Sequence, residues 1–313
     1  MAQGRVLVVA ATHGNERNAP WLLEHWRQQP DLLARHGLEL QLVVGHPQAL
    51  AANTRYLDCD LNRSFSLELL ADTSRQEQEI QRARALLAAH GPGGTNPCAV
   101  VFDLHSTTSA MGNSLVVYGR RPADLALAAG IQARLGLPVY LHEADPVQTG
   151  FLVERWPCGL VIEVGPVPQG LVSAPICRQT QLALEAGLDT VAAAAAGRLR
   201  LPQALTLHVH AGSVDLPRRP DGTPASALHP RRQHRDWQPL EAGDPLFWSP
   251  DAGTQGFVPS EPLDPAARWP VFINEAAYGE KGIALSLTRR ERLACEGVWA
   301  EALTQLAQRG APL

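Results

Sequence analysis

Short apolar runs alternate with stretches of helical periodicity through residues 1–200. Val6–Ala11 is continuously apolar and rich in β-branched residues, too short to span a membrane and of the length of a buried strand. Trp21–Gln29 reads as a helix and Leu38–Gly45 as a second strand. In Glu77–His90, Ile80, Ala83, Leu86 and Leu87 share one helical face. Ala99–Leu104 and Asn113–Tyr118 read as strands, Ala123–Leu135 as a helix, Val139–His142 and Leu160–Val164 as strands, and Ala174–Ala196 as a long alanine-rich helix. This alternation predicts a three-layer α/β domain.

The texture changes after Leu199–Pro202. Ala204–Val209 alternates apolar and polar residues, and turn signals follow at Pro217, Pro220-Asp221-Gly222, Pro230, Gly243-Asp244-Pro245 and Pro250-Asp251-Ala252-Gly253. Short strands between frequent turns predict a smaller β-rich domain, ending in a short helix marked by Trp299, Leu303 and Leu306. The expected division is therefore 1–200 and 201–313.

A chain of 313 residues buries a large core, and a net charge of −4 gives no field that favours nucleic acid. No apolar run reaches membrane length and no secretory signal is apparent, so no membrane partner is expected and the location reads as cytoplasmic. Cys59, Cys98, Cys158, Cys177 and Cys295 are odd in number and scattered, which reads as free thiols and argues against a disulfide framework or a zinc ribbon. Lys281 is the sole lysine among 27 basic residues, a bias that codon composition explains.

The chemistry concentrates in four segments. Thr12-His13-Gly14-Asn15-Glu16 follows the first strand, where open α/β sheets bind ligands. Gly14 suits a sharp turn there. A histidine and a glutamate three positions apart on a strand-end turn can close on one metal ion, and catalytic zinc takes three such ligands. Asp103-Leu104-His105-Ser106-Thr107-Thr108-Ser109, after another strand, offers the third. Asp103 or Asp60 could orient a zinc-bound imidazole or an arginine. Arg55 to Phe65 is polar, with Arg55 and Arg63 flanking Asn62; arginine forks pair with carboxylates and Asn adds a donor amide, although a solvated loop with surface ion pairs reads equally well. Glu163, at the end of an apolar strand before Gly165-Pro166, suits general acid/base work if it is buried facing the metal. Tyr278 offers a phenol that either binds a substrate carboxylate or caps a core. His46 before Pro47 and the alternating pair His208 and His210 read as structural.

Taken in order, THGNE, RYLDCDLNRSF, DLHSTTSAMG, IEVGPVPQG and FINEAAYGEKG resemble the aspartoacylase family, zinc N-acyl amino acid amidohydrolases related to succinylglutamate desuccinylase and the zinc carboxypeptidases. The resemblance implies a carboxypeptidase-like α/β domain with a C-terminal β domain narrowing the substrate entrance. It implies one zinc ion on His13, Glu16 and His105, and Arg55 near the scissile amide. It places Asn62, Arg63 and Tyr278 on the substrate carboxylate and makes Glu163 the catalytic carboxylate. The implied substrate is an N-acyl amino acid, foremost N-acetyl-L-aspartate, hydrolysed to acetate and L-aspartate. A broader acyl amino acid or carboxypeptidase-like hydrolase and a non-catalytic zinc-dependent ligand-binding protein are the alternatives, and a homo-oligomer is left open. One departure stands out. The family's arginine for the substrate side chain, expected between the His105 loop and Glu163, has no clear match; in the stretch His142–Arg155, Arg155 is nearby but not at the expected place.

Overall fold

The computed structural model describes residues 4–34, 36–143, 148–259 and 266–308. In chain order the strands are β1 (Val6–Ala10), β2 (Leu40–Val44), β3 (Val100–Ser106), β4 (Gly112–Tyr118), β5 (Val139–His142), β6 (Cys158–Gly165), β7 (Ala204–Asp215), β8 (Ala227–Leu228), β9 (Pro245–Ser249), β10 (Gly253–Gly256), β11 (Trp269–Val271) and β12 (Ile283–Ala294). The α-helices are α1 (Asn18–Gln28), α2 (Asp31–Ala34), α3 (Pro47–Ala52), α4 (Leu67–Ala71), α5 (Gln78–His90), α6 (Pro122–Leu135), α7 (Ala174–Ala195), α8 (Ala276–Gly279) and α9 (Gly297–Gln308), with 3-10 turns at Leu61–Arg63 and Leu152–Arg155.

Among the described residues one sheet carries the fold, in the order β11-β12-β7-β5-β4-β6-β3-β1-β2. One side of it is parallel, β6, β3, β1 and the edge strand β2 running together, and β4 enters antiparallel to β6. Strands buried on both faces need apolar side chains in both directions, which is why β1 is an unbroken apolar run. Val6, Val8 and Ala10 pack into the core beneath α1, α6, α7 and α9, whereas Leu7 and Val9 join the core on the other face with Leu61, Phe65 and Leu86. The three-layer expectation is thus met. Among the described residues no helix is long and apolar enough to cross a membrane.

Past residue 200 the main sheet continues. β7 and β12 form a long antiparallel pair, β11 closes that edge beside β12, β8, β9 and β10 form a separate small sheet, and α9 returns to pack on α6 and α7. β12 escapes a sequence reading because its second half, Arg289-Arg290-Glu291-Arg292, is charge-dense; those residues alternate between half-buried and exposed.

Gly14 is explained differently from the sequence expectation. It is not among the positive-φ residues, where Ala11 appears with φ 57°. The requirement at Gly14 is space: a Cβ there would lie 2.0 Å from the carbonyl carbon of Ala49 in α3.

Candidate active site

One face of the sheet makes the floor of a cavity. His105 on β3 and Glu163 on β6 are register partners across parallel strands. Side chains two apart share a face, so Val161 on β6, Val116 and Tyr118 on β4, and Tyr140 and His142 on β5 continue the same floor. The strand-end loops carrying His13, Glu16, Arg55, Asn62 and Arg63 form one wall, and Phe272, Glu275, Ala277 and Tyr278 form another. The space enclosed and opening to solvent is about 660 Å³.

At the β1 and β3 ends, Glu16 bridges two imidazoles. Its Oε1 lies 2.6 Å from His13 Nδ1 and its Oε2 3.1 Å from His105 Nδ1. Each histidine is held through its other nitrogen: His13 Nε2 by Asp60 at 3.0 Å and His105 Nε2 by Asp103 at 2.8 Å. Asp103, fully buried, also accepts from the Thr12 hydroxyl at 2.6 Å. Carboxylates on the far nitrogens fix ring orientation and leave both Nδ1 atoms converging with Glu16. One ligand atom from each of His13, Glu16 and His105 lies within 4.8 Å of the others. Two imidazoles, one carboxylate and an open side suit a catalytic divalent zinc ion. His46 is elsewhere, buried and bonded to Glu79 at 2.7 Å.

The charges are mutually set. Burial would raise the Glu16 carboxyl, but His105 and His13 outweigh it and hold the group below the usual range. Burial would lower the His105 imidazole, and Asp103 and Glu16 instead hold it well above its usual value. Glu163 behaves oppositely: burial pushes it well above the usual carboxylate range, with Glu16 and Glu275 adding to the rise and His105 and Arg55 opposing it. A carboxyl so displaced beside an ionised one is a proton carrier in form.

The structure brings Arg55, Asn62, Arg63 and Tyr278 to this cavity as well. Arg55 donates to Asp60 at 3.0 Å and lies 3.7 Å from Glu16. Asn62 accepts from Leu152 N at 2.9 Å, which leaves its donor end for a ligand. Arg63 lies 4.1 Å over the Phe151 ring, and its buried Nε has no partner among the described residues. The Tyr278 hydroxyl meets Ser286 Oγ at 3.0 Å, and burial pushes its pKa up to about 12. Arg155 does not line the cavity.

Two glutamates went unread in the sequence. Glu275 Oε2 accepts from the Thr107 hydroxyl, from Thr108 N and Oγ1 at 2.9 Å each, and from Ser109 N and Oγ at 3.1 Å each, clasping the loop after His105. Glu79, fully buried, accepts from the amides of Leu57 at 2.7 Å and Cys59 at 3.1 Å and so shapes the Arg55 loop. Glu79 lies near the start of a helix, where a solvent-facing acid is the ordinary expectation. Glu275 is recognisable only once its partner loop is known.

Comparison with known proteins agrees with this architecture. Residues 2–191 match the succinylglutamate desuccinylase/aspartoacylase catalytic domain and residues 203–290 the AstE/AspA barrel-sandwich hybrid domain. A probable aspartoacylase of Parasynechococcus marenigrum (strain WH8102) is 58% identical over 98% of this chain and 99% of its own length. A probable aspartoacylase of Prochlorococcus marinus (strain MIT 9313) is 57% identical over 96% of this chain and 98% of its own. The crystal structure of murine aminoacylase 3 superposes with a TM-score of 0.83 at 32% identity, covering 94% of this chain and 98% of that one. With that likeness running through both halves of the chain, the protein belongs to the succinylglutamate desuccinylase/aspartoacylase family.

Proposed function

We propose that this protein is a zinc-dependent amidohydrolase that cleaves the amide of an N-acyl amino acid. The observation that carries the reading is the Glu16 carboxylate spanning two imidazoles, each braced by its own aspartate, with Glu163 in register beside His105. His13, Glu16 and His105 would hold the ion. Zinc supplies Lewis acidity there, polarising the scissile carbonyl and lowering the pKa of water toward ~7.

The chain's own groups account for the rest. Glu163 takes a proton from the attacking water and delivers it to the amide nitrogen as the C–N bond breaks, giving a carboxylic acid anion and a free amino acid. Arg55 places positive charge where negative charge develops on the carbonyl oxygen. Arg63, which lines the cavity with Asn62 and Tyr278, receives the α-carboxylate that every acyl amino acid carries. The relatives' names suggest N-acetyl-L-aspartate, the expectation from the sequence.

Metal removal tests the proposal. Purified protein should carry about one zinc per chain by elemental analysis. Dialysis against a chelator should abolish hydrolysis of N-acyl amino acids, and added zinc should restore it. Full activity without metal would overturn the reading. Stoichiometric zinc with no hydrolysis of any acyl amino acid would point to the ligand-binding alternative.

A further inference from the structure

We propose that the groove along the open edge of β2 is a binding site for the phosphate group of a small organic phosphate ester, gripped by Arg27 and Arg82 with Arg17 farther along. The groove shares no lining residue with the catalytic cavity, and the inference stands independently of the hydrolase reading.

The edge comes first. β2 ends the nine-stranded sheet and, among the described residues, pairs with β1 on one side alone. Glu39 O and Gly45 N bond to β1, so the alternation along a strand turns the backbone groups of Leu42 and Val44 outward. Both outward carbonyls are met by arginines from opposite faces of the sheet. Helix α1, packed on one face, sends Arg27 Nη2 to Leu42 O at 3.0 Å. Helix α5, packed on the other, sends Arg82 Nη2 to Val44 O at 2.8 Å and Nε to Gly45 O at 2.6 Å. Arg17 lines the same groove and donates from Nη1 to Leu50 O of α3 at 2.7 Å.

These bonds hold the guanidiniums without neutralising them. Blunting a sheet edge takes one donor per carbonyl. A guanidinium carries five N–H donors in a rigid fork, and the bonds named use two on Arg82 and one each on Arg27 and Arg17. Among the described residues no aspartate or glutamate lines the groove. Glu24 lies 3.8 Å from Arg27, with both side chains exposed, and such a pair is weak. Arg82 is half-buried, and burial lowers its pKa with no acid among its neighbours to restore it. A cation taken from water without an anion beside it is costly, and a bound anion relieves that cost.

Spacing and shape select the anion. Carbonyls two residues apart on a strand are about 6.6 Å apart along it, so Arg27 and Arg82, anchored on them, are spaced to grip one oxyanion from two sides. A planar carboxylate commits both oxygens to a single fork, whereas the terminal oxygens of a phosphate serve two forks at once. Leu42, Pro47 and Leu50 add apolar surface beside the cations, and the space, open to solvent, is about 1290 Å³. That leaves room for an organic group on the phosphate.

The test is titration calorimetry of the zinc-loaded protein with adenosine monophosphate, inorganic phosphate and adenosine. The monophosphate and phosphate should bind saturably, the monophosphate more tightly, and adenosine should not bind. Arg27→Gln and Arg82→Gln should each weaken the monophosphate about 10- to 100-fold, the worth of a charge-assisted contact, and Arg17→Gln less. Arg27→Lys should recover part of the loss, because it restores charge without the fork. Arg27 is exposed, so its variants carry the test if Arg82→Gln, which uncaps two carbonyls, folds poorly. Equal affinities for phosphate and the monophosphate, both weakened by Arg27→Gln, would support the site with free phosphate as its ligand. Phosphate also has affinity for a catalytic zinc ion, and the variants separate the two. Binding indifferent to Arg27→Gln and Arg82→Gln but lost on removal of zinc would overturn the inference, as would adenosine binding as tightly as its monophosphate. Absence of saturable binding of both phosphate and the monophosphate at millimolar concentration would overturn it outright.

Discussion

The two ends of the cavity share one sheet face yet are built on opposite physics. At the β1 and β3 ends nearly every polar atom has a short, charge-assisted partner: Asp60 on His13, Asp103 on His105, Glu16 between them. At the β4 and β5 end, rings contact rings, with Tyr118 on Phe151 and Tyr140 on Phe272. Directional bonds in low dielectric fix a few atoms to within tenths of an ångström, as bond cleavage requires. Ring packing fixes a shape and a polarity, which suffices to choose a side chain. Reaction and selectivity should therefore respond to different substitutions.

Glu163→Gln is the strongest way to break that division. It keeps the shape and removes the proton acceptor at the charged end, so kcat should fall about 10²–10⁴-fold with zinc content and the order of substrate preference unchanged. Near-normal turnover would place the proton elsewhere. Next is Glu275→Gln. Oε2 of Glu275 gathers donors from Thr107, Thr108 and Ser109, and losing the charge should cost about 1.5–3 kcal/mol. A drop in Tm of several degrees is expected, with a lower kcat because the loop after His105 loosens; an unchanged Tm would show that the clasp is weak.

Asp103→Asn probes the bracing alone. Zinc affinity should fall about 10- to 100-fold by competition with a chromogenic chelator, as for other carboxylates behind a ligating histidine. Unchanged affinity would mean that strand geometry is enough to aim His105. The smallest effect belongs to the aromatic end. Asp236 holds Ile273 N at 3.0 Å beside Phe272, and burial raises its pKa to about 6. A carboxyl whose folded pKa is raised binds its proton more readily folded than unfolded, so stability falls as pH rises from about 4 to about 6 and is flat above. Asp236→Asn should flatten that slope in thermal melts and raise stability near pH 7.5 by about 1 kcal/mol, less than the ~3 kcal/mol of the full shift because the new amide must itself be bonded. A slope that survives the substitution would assign it to another group.

Much of the architecture is legible without coordinates. Val6–Ala10 can only be a strand buried on both faces, and the loop after it holds His13 and Glu16 three residues apart. Segments such as Pro122–Leu135 and Ala174–Ala195 are long and periodic, and they form helices close to the expected bounds. By contrast, Phe151 opens the apolar triplet Phe151-Leu152-Val153, where nothing local separates a cavity wall from core, and Glu275 is one acid in a motif of several. Leu152–Arg155 and Leu61–Arg63 are single turns, too short for periodicity to register.

What the sequence alone determined here is whatever depends on neighbours a few residues apart: the alternating strands and helices, the strand-end position of His13 and Glu16, and the donor types at His105, Arg63 and Glu163. Only the tertiary structure decided which aspartate braces which histidine, that Glu163 stands beside His105, and that Phe151 and Tyr118 meet under Arg63. Those are contacts between segments tens of residues apart, set by strand order and register. A chain can state its local periods in sequence, but which distant side chains share a sheet face follows only when the sheet is assembled.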